Sequence, residues 1–398
     1  MQVVKTTLLF CLLAFMACKQ DPKPVAKTQD TPTALAGNTL GKPEVILYCV
    51  SVDNLQLRDQ PSLTGSNVIT KFPEGSFVTG TGEKSANKVE IDLRGIPYTD
   101  HFYKVASTTP EHQNGWAFGG ALVPVYSGTA SGSPDLGKLS QLSVFLKSLN
   151  TKDLKSGKKA WDFVVTNFAD VKGAVADATY ILLSEFLSRM EYEGEFYVLA
   201  EKINWTPKDF DAIYEDKFDM NKYPLTKSFA ENGFRLESGE GMVFPISDWQ
   251  RLHDFFTGKI TPVLQSYLDQ DLMERKALDS DDGGLMIPLA DMADRAIFWE
   301  KFNKDNPYFV MADRTKISEQ WMRAVVISGM DNTPMYSGET KAIEKEFKDT
   351  WAAVQQKYPG TQLAQKCKEI ADICAANGWK YTDKVEQWHI NFVEQNAQ

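Results

Sequence analysis

The pattern of hydrophobic and polar positions changes once along the body of the chain. Between residues 45 and 125, short runs rich in β-branched and aromatic residues alternate with Gly, Pro, Asn and Asp, which is typical of strands joined by turns. From residue 138 onward, apolar residues recur at helical spacing. The first predicted helical face consists of Leu139, Leu142, Phe145, Leu146 and Leu149. The sequence therefore predicts a multidomain fold, a small all-β module followed by a mainly α-helical domain.

Capping and turn signals mark elements inside the helical part. The segment from Thr206 to Asp209 offers an N-cap, a proline at the first helical position and an acid at the third. Ser247 and Gln250 have the spacing of a capping box. The glycine-rich turn at 239–241 lies between two alternating runs, which predicts one β-hairpin within this domain.

Two stretches near the C-terminal end share a weak pattern. The stretches that begin at Trp299 and Trp351 have Trp, Pro, Ala and Lys at the same spacing, and they lie 52 residues apart (351 − 299). Each predicts an amphipathic helix that ends at a proline-marked turn and is followed by a second helix, so stacked pairs would extend one core. The alternative is that such tryptophan-bearing helices are common in any α-helical domain.

The N-terminal residues have the character of a signal peptide. Lys5 precedes ten mostly apolar residues from Leu8 to Ala17, whereas a membrane span needs about 20. We therefore predict a signal peptide over residues 1–17. Phe15 does not suit an ordinary signal peptidase site, which has small residues at −1 and −3. The junction before Cys18 instead resembles the lipobox of bacterial lipoproteins, although Phe15 replaces the usual Leu. That resemblance implies a diacylglycerol on the Cys18 sulfur; a plain secretory signal is the alternative.

Composition divides the remaining chain into segments. Residues 18–43 contain no aromatic residue and four prolines, which predicts a flexible tether after the lipidated cysteine. The predicted all-β module covers 44–125, a linker rich in Gly and Ser covers 126–137, and the helical domain covers 138–398. Outside the leader, the sequence has no apolar run long enough for a membrane span. We expect an extracytoplasmic protein anchored to the outer membrane or the cell membrane.

The net charge of the chain limits the class of binding partner. The formal net charge is −10, which disfavours binding to nucleic acid. The same negative charge gives no attraction to anionic lipid surfaces, so the lipid on Cys18 has to provide the membrane attachment.

Cys367 and Cys374 lie seven residues apart, about 10 Å along one helix and beyond disulfide reach. We expect these two and Cys49 to be buried thiols; a bridge from Cys49 to either is the alternative.

The predicted β module resembles the bacterial SH3-like (SH3b) domain family over about 80 residues. The family pattern is a Leu-x-Leu-Arg strand, a Pro-Ser turn, a glycine, a β-branched pair, a second glycine, an aromatic-Lys-Val strand and a final Gly-Trp. The matching positions are Leu55, Leu57, Arg58, Pro61, Ser62, Gly65, Val68, Ile69, Gly75, Tyr103, Lys104, Val105, Gly115 and Trp116. The sequence departs from the pattern in a long insertion at 84–101 and in having Phe102-Tyr103 where many members have Trp-Tyr.

The resemblance implies a small barrel that binds an extracellular ligand, often a peptidoglycan peptide, in a groove lined by aromatic residues and loops. Carried onto this chain, the groove residues would be Tyr103, Trp116, Phe118, Tyr98 and Arg58. The alternatives are that Tyr103 and Trp116 belong to the core and that Arg58 forms only a salt bridge at a strand end. The helical part resembles only uncharacterised bacterial lipoproteins and tetratricopeptide-like envelope proteins.

No recognised catalytic or metal-binding motif occurs in the sequence. The four histidines lack zinc-ligand spacing, and there is no Gly-x-Ser-x-Gly segment. The segment 279–284 opens like a calcium loop, but its position 12 is Ala290. Glu191, Glu193 and Glu195 are a conceivable carboxylate pair for glycoside cleavage or a solvated face. A contact of His389 with Cys374 lacks motif support. We therefore predict no cofactor, metal or catalytic residue.

The sequence favours a non-enzymatic envelope lipoprotein. In this interpretation an SH3-like module binds peptidoglycan or an envelope protein, and the helical domain is a scaffold for protein contacts. The alternative is an extracellular hydrolase acting on cell-wall or glycan material, centred in the helical domain on Glu191 to Glu195 or near Gly239. A spacer with no binding surface is a third possibility.

Overall fold

A computed structural model describes residues 42–239 and 241–396. The predicted signal peptide, Cys18 and the tether up to residue 41 lie outside the described residues. The described chain forms two compact units, which divide between Leu268 and Asp269. Among the described residues, no helix combines the length and apolar character needed to cross a membrane.

The first unit begins with a seven-stranded antiparallel sheet. Its strands are β1 (Val45–Val50), β2 (Leu55–Arg58), β3 (Val68–Phe72), β4 (Phe77–Leu93), β5 (Ile96–Ser107), β6 (Asn114–Phe118) and β7 (Leu122–Gly128). Their order across the sheet is β3-β2-β6-β5-β4-β1-β7. Leu57, Val78, Phe102 and Ala117 are buried in its core. The large antiparallel sheet confirms the predicted all-β character of this segment.

The insertion relative to the family pattern forms the distal half of the β4–β5 hairpin. Leu93 pairs with Ile96 at its tip, and the two residues between them, Arg94 and Gly95, both have positive φ, 57° and 82°, as a two-residue hairpin turn requires. The Arg94 guanidinium donates to the Ser51 carbonyl at 2.6 Å. This contact fixes the hairpin tip back onto the start of the sheet.

Helices of the first unit follow the sheet. They are α1 (Leu136–Lys147), α2 (Lys155–Phe168), α3 (Ala174–Glu193), α4 (Tyr197–Ala200), α5 (Pro207–Tyr214), α6 (Pro224–Glu231), α7 (Trp249–Phe256) and α8 (Pro262–Lys276), the last of which continues past residue 268. The strands β8 (Phe234–Gly239) and β9 (Met242–Ser247) pair antiparallel with Gly239 opposite Met242. This confirms the predicted hairpin.

Polar contacts join the sheet to these helices. Ser143 of α1 donates to the Gly75 carbonyl at 2.7 Å, and Arg189 of α3 donates to the Glu74 carboxylate at 2.7 Å. The same Glu74 carboxylate also accepts from Arg94 at 2.7 Å. The sheet and the first helices therefore form one compact unit, and the division of the structure does not fall at the predicted linker 126–137.

The second unit alternates short hairpins with helices. Its elements are β10 (Ser280–Asp281), β11 (Gly284–Leu285), α9 (Leu289–Asp305), α10 (Ala312–Ser328), β12 (Gly329–Met330), β13 (Thr333–Pro334), α11 (Lys345–Lys357), α12 (Gln362–Ala376) and α13 (Asp383–Asn396). The two hairpins contact each other, since the Asn332 amide donates to the Gly283 carbonyl at 2.8 Å. The helical character predicted for this part of the chain is confirmed, but the prediction of one β-hairpin is wrong, since β10–β11 and β12–β13 add two more among the described residues.

Both tryptophans of the weak repeat donate a hydrogen bond to the preceding helix, Trp299 to a side chain and Trp351 to the backbone. Trp299 donates from Nε1 to the Glu274 carboxylate at 2.8 Å, and Trp351 donates from Nε1 to the Val326 carbonyl at 2.9 Å. Each acceptor lies 25 residues before its tryptophan. In both cases an indole on one helix is thus bonded to the helix that precedes a short hairpin, which supports an internal repeat.

Candidate functional site

Three basic and aromatic side chains form a row across the sheet. In the strand register, Arg58 of β2 lies opposite Trp116 of β6, and Trp116 lies opposite Lys104 of β5. Directly opposite residues in an antiparallel pair point to the same face of the sheet. We call Arg58, Trp116 and Lys104 the basic–aromatic row. Arg58 and Trp116 were predicted groove residues. Lys104 was predicted only as a matching position of the family pattern.

Lys104 contacts the Trp116 ring, and Arg58 is held by polar neighbours outside the row. Lys104 Nζ lies 5.7 Å from the centre of the Trp116 ring, within the range of a cation–π interaction. Its ammonium also contacts the Glu83 carboxylate at 3.3 Å, and its side chain stays 50% exposed. Arg58 donates to Ser66 Oγ at 2.9 Å and to the Gln56 side chain. The row is therefore ordered while its Lys104 end remains open to solvent.

Exposed apolar side chains lie next to the row. Val68, directly opposite Arg58 in β3, is 42% exposed, and Leu63 in the preceding loop is 47% exposed. That loop is closed by Asp59, which accepts from the Asn67 amide and side chain at 2.8 and 2.9 Å. Apolar side chains on a fixed loop beside a cationic row provide a surface that can bind an amphipathic ligand.

The other three predicted groove residues lie elsewhere. Phe118 is 3% exposed and contacts the Phe102 ring edge-on at 6.2 Å, so it belongs to the core rather than to a groove. Tyr103 is opposite Ala117 and therefore faces away from Lys104, with its ring 5.9 Å from Tyr48. Tyr98 and Tyr103 pack against the sheet core, and the partly buried Trp116 packs against it as well. The structure thus brings only Arg58 and Trp116 together.

Two of the three glutamates considered for catalysis, Glu191 and Glu193, have structural partners. Glu191 accepts from the Ser247 amide at 2.7 Å and from its hydroxyl, and Glu193 accepts from Arg189 at 3.2 Å. Because Ser247 binds Glu191, the N-cap of α7 is Asp248, which accepts from the Arg251 amide at 3.0 Å. The predicted Ser247 cap is therefore wrong. No pair of free facing carboxylates is formed by these residues.

The acidic segment 279–284 is a tight hairpin rather than a calcium loop. Ser280 pairs with Leu285 and Asp281 with Gly284, while Asp282 and Gly283 between them have φ values of 44° and 70°. Within the described ranges, no group of three or more His, Cys, Asp or Glu side chains is arranged to hold a metal ion. The Asp-Gly turn chemistry explains this sequence without a ligand.

One nucleophile and base pair was not visible in the sequence. Ser328, the last residue of α10, is in hydrogen-bond contact with His389 Nε2, and His389 Nδ1 lies 3.4 Å from the Tyr381 hydroxyl. Burial lowers the pKa of His389, so the ring is neutral at pH 7. However, Ser328 is at a helix C-terminus, where carbonyl groups oppose an oxyanion, and the next amide, that of Gly329, already donates to Val325.

The three described cysteines are free and buried, as predicted, and the alternative bridge from Cys49 is not formed. Burial raises the pKa of Cys49 and of Cys367 to about 12 and that of Cys374 to about 11. Thiols with such pKa values are almost fully protonated at neutral pH and poorly nucleophilic. His389 contacts Ser328, and the conceived pairing of His389 with Cys374 has no support.

Comparison with known proteins adds no relative. No protein-family model matches the chain, and neither a curated protein nor a solved structure matches it.

Proposed function

We propose that this chain is a non-enzymatic cell-envelope lipoprotein with an SH3-like ligand-binding barrel and a helical scaffold. The lipid on Cys18 anchors it to the outer membrane or the cell membrane, and the tether and barrel present the binding surface outside the cytoplasm. The ligand is peptidoglycan or an envelope protein. The observation that carries the proposal is the basic–aromatic row, two cations flanking an indole on one sheet face.

The chemistry of the row indicates what the ligand offers. Arg58 and Lys104 are suited to carboxylates, the half-buried Trp116 ring offers a flat apolar contact, and Val68, opposite Arg58, extends that apolar area. The whole chain has a net charge of −10, so a local basic row contrasts with its acidic surroundings in sequence. A peptide that carries both carboxylates and small apolar side chains, as peptidoglycan stem peptides do, satisfies both parts of the surface.

Substitutions in the row test the ligand. We expect the full chain to co-sediment with insoluble peptidoglycan, and Trp116→Ala to weaken that binding by roughly 10-fold or more, since buried aromatic anchors dominate interfaces. Lys104→Ala removes one charge-assisted contact and is expected to weaken it by about 5-fold. The readout is the bound fraction at increasing amounts of peptidoglycan.

The control is Lys88→Ala, which removes an exposed lysine from the distal part of the β4–β5 hairpin. It is expected to bind as the unchanged protein does. Co-sedimentation that is equal for all three variants would rule out the row as the binding surface. If the unchanged chain does not co-sediment at all, peptidoglycan is excluded and an envelope protein remains as the ligand.

The alternative function is an extracellular hydrolase acting on cell-wall or glycan material, and the Ser328–His389 contact is the observation that favours it. We expect no labelling of the full chain by a fluorophosphonate probe, because the backbone at Ser328 offers carbonyls rather than free amides. Mass spectrometry after proteolysis reads out the modification. Labelling of Ser328 that is lost in His389→Gln would establish an enzyme and overturn the proposal.

A further inference from the structure

A buried polar cluster joins α8 to α9 in the second unit. Its members are Gln270 and Glu274 on α8 and Arg295 and Trp299 on α9. Gln270 is 0% exposed and Arg295 is 4% exposed. Glutamine, glutamate and arginine are seldom buried in this way unless every polar atom is paired. The cluster is separate from the basic–aromatic row and independent of the proposed function.

Glu274 is at the centre of the cluster. Its Oε1 atom accepts from Gln270 Nε2 at 2.6 Å and from Trp299 Nε1 at 2.8 Å. Arg295 acts on it as a favourable charge, and Asp271 on the same helix acts as an unfavourable one. Asp279, in the loop after α8, and Asp291, on α9, act on Arg295 in turn. Glu274 thus shares its one nearby cation with two other acids.

Two buried atoms of the cluster have no hydrogen-bond partner among the described residues: Gln270 Oε1 and Arg295 Nη1. The other arginine nitrogen, Nη2, donates to the Ala277 carbonyl at 2.8 Å. An ionised carboxylate can only accept hydrogen bonds, whereas a protonated one also carries a donor. A proton on Glu274 therefore supplies the donor that Gln270 Oε1 lacks, and the two side chains then form a reciprocal acid–amide pair.

We propose that this cluster is a pH-sensitive switch with two hydrogen-bond arrangements. In the first, Glu274 is protonated and paired with Gln270, and Arg295 is held by Ala277. In the second, Glu274 has lost its proton to solvent, and its carboxylate accepts from Arg295 Nη1, which satisfies the other unpartnered atom. The change replaces a contact within α8 by an ion pair between α8 and α9.

Burial places this change near neutral pH. Removal from water raises the pKa of Glu274 to about 7, and it also raises the pKa of Asp279. For an acid whose pKa is raised on folding, the contribution to stability is greatest at low pH. That contribution is lost as the pH rises from the unfolded value near 4.5 to about 7.

The Trp299 indole is a built-in reporter of the switch. In the full chain, labelled with ¹⁵N, we expect its Nε1–H resonance to shift with a midpoint near pH 7, since it donates to Glu274. Trp299→Phe assigns the resonance. The Trp351 indole in the same unit, which donates to a backbone carbonyl, is the matched control and should not shift with it. Glu274→Gln should abolish the Trp299 titration. A Trp299 resonance that does not titrate, or titrates below pH 5, would exclude the switch.

A second variant distinguishes the change between the two hydrogen-bond arrangements from loss of a proton without any change of partner. In Arg295→Met the ionised carboxylate has no cation to accept from, so the Trp299 midpoint should rise by about 1 pH unit; an unchanged midpoint would contradict the ion-paired arrangement. If that variant does not fold, the test of the switch is the unfolding equilibrium of the unchanged chain and of Glu274→Gln, measured as a function of pH. Relative to Glu274→Gln, the unchanged chain should lose on the order of 50-fold in its folding constant between pH 5 and pH 8. A ratio that stays constant across this range would overturn the proposal.

Discussion

Trp351→Ala is expected to lower the free energy of unfolding by about 3–5 kcal/mol, the usual cost of removing a large buried aromatic side chain. Trp351 is 0% exposed, and its ring packs edge-on against Phe347 at 6.0 Å. The substitution also removes the indole donor to the Val326 carbonyl. Because a whole domain is stabilised by about 5–15 kcal/mol, this loss is a large fraction of the stability of the second unit. Urea denaturation followed by circular dichroism measures the loss.

The matched control is Trp388→Ala on α13. Trp388 is half-buried and stacks on Phe392 with ring centres 5.4 Å apart, so the same substitution leaves no closed cavity. We expect a loss of about 1–2 kcal/mol there. If both variants lose the same amount, Trp351 does not occupy the core position that the structure gives it.

Trp299→Ala extends this prediction to the internal repeat. Trp299 is buried like Trp351 and also donates to the preceding helix, although to a carboxylate instead of a backbone carbonyl, so we expect a comparable loss of about 3–5 kcal/mol. A much smaller loss at Trp299 would show that the two stretches share residues without sharing a structural role.

Features encoded by neighbouring residues were predictable from the sequence. The strands β8 and β9 pair on either side of the predicted glycine-rich turn, because Gly241 adopts a positive φ of 76° there, which glycine permits. The capping box at Thr206 forms because its amide reaches the Asp209 carboxylate three residues later, at 3.0 Å. Leu139, Leu142 and Leu146 are buried on one face of α1, as their spacing predicts. In each case, the interacting groups are fixed by helix or turn geometry alone.

Features that depend on distant residues were not predictable. Ser247 has the right spacing for a capping box, but Glu191, 56 residues earlier, accepts its amide hydrogen and hydroxyl instead. Phe118 was predicted to line a groove, yet Val89, Ile91 and Leu93 from the long hairpin pack against the same core. The insertion departs from the pattern that the sequence resembles, so the resemblance could not show that the distal hairpin packs against this core.

The same limit applies to the candidate site. The resemblance to SH3-like domains supplied Arg58 and Trp116, but only the strand register shows that Lys104 completes a row with them. The Glu274 cluster had no sequence signal, because its hydrogen bond to Trp299 links residues 25 positions apart on different helices. Spacing within one element is visible in a sequence, whereas such pairing between elements follows from the packing of the whole unit.

Gly157→Ala tests a place where packing and local propensity oppose each other. In the interior of a helix, alanine is favoured over glycine by about 1 kcal/mol, so propensity alone predicts a more stable protein. A Cβ atom at Gly157 in α2, however, would lie 2.2 Å from the Asn232 carbonyl oxygen and 3.2 Å from the Phe234 ring. Because the nearest atom belongs to the backbone, the clash is removed only if α2 moves away from Asn232, which lies just before β8.

We expect the steric cost to win, with a net loss of about 2 kcal/mol in the free energy of unfolding, since overpacking a filled site costs roughly 1–3 kcal/mol or more. The control is Gly137→Ala in the first turn of α1, where the nearest atom to a new Cβ is the Asp135 carboxylate oxygen at 3.3 Å, the end of a side chain that can move. That variant should be unchanged or slightly stabilised. A gain in stability for Gly157→Ala, measured by the same urea titration, would mean that α2 does not approach Asn232 as closely as the structure shows.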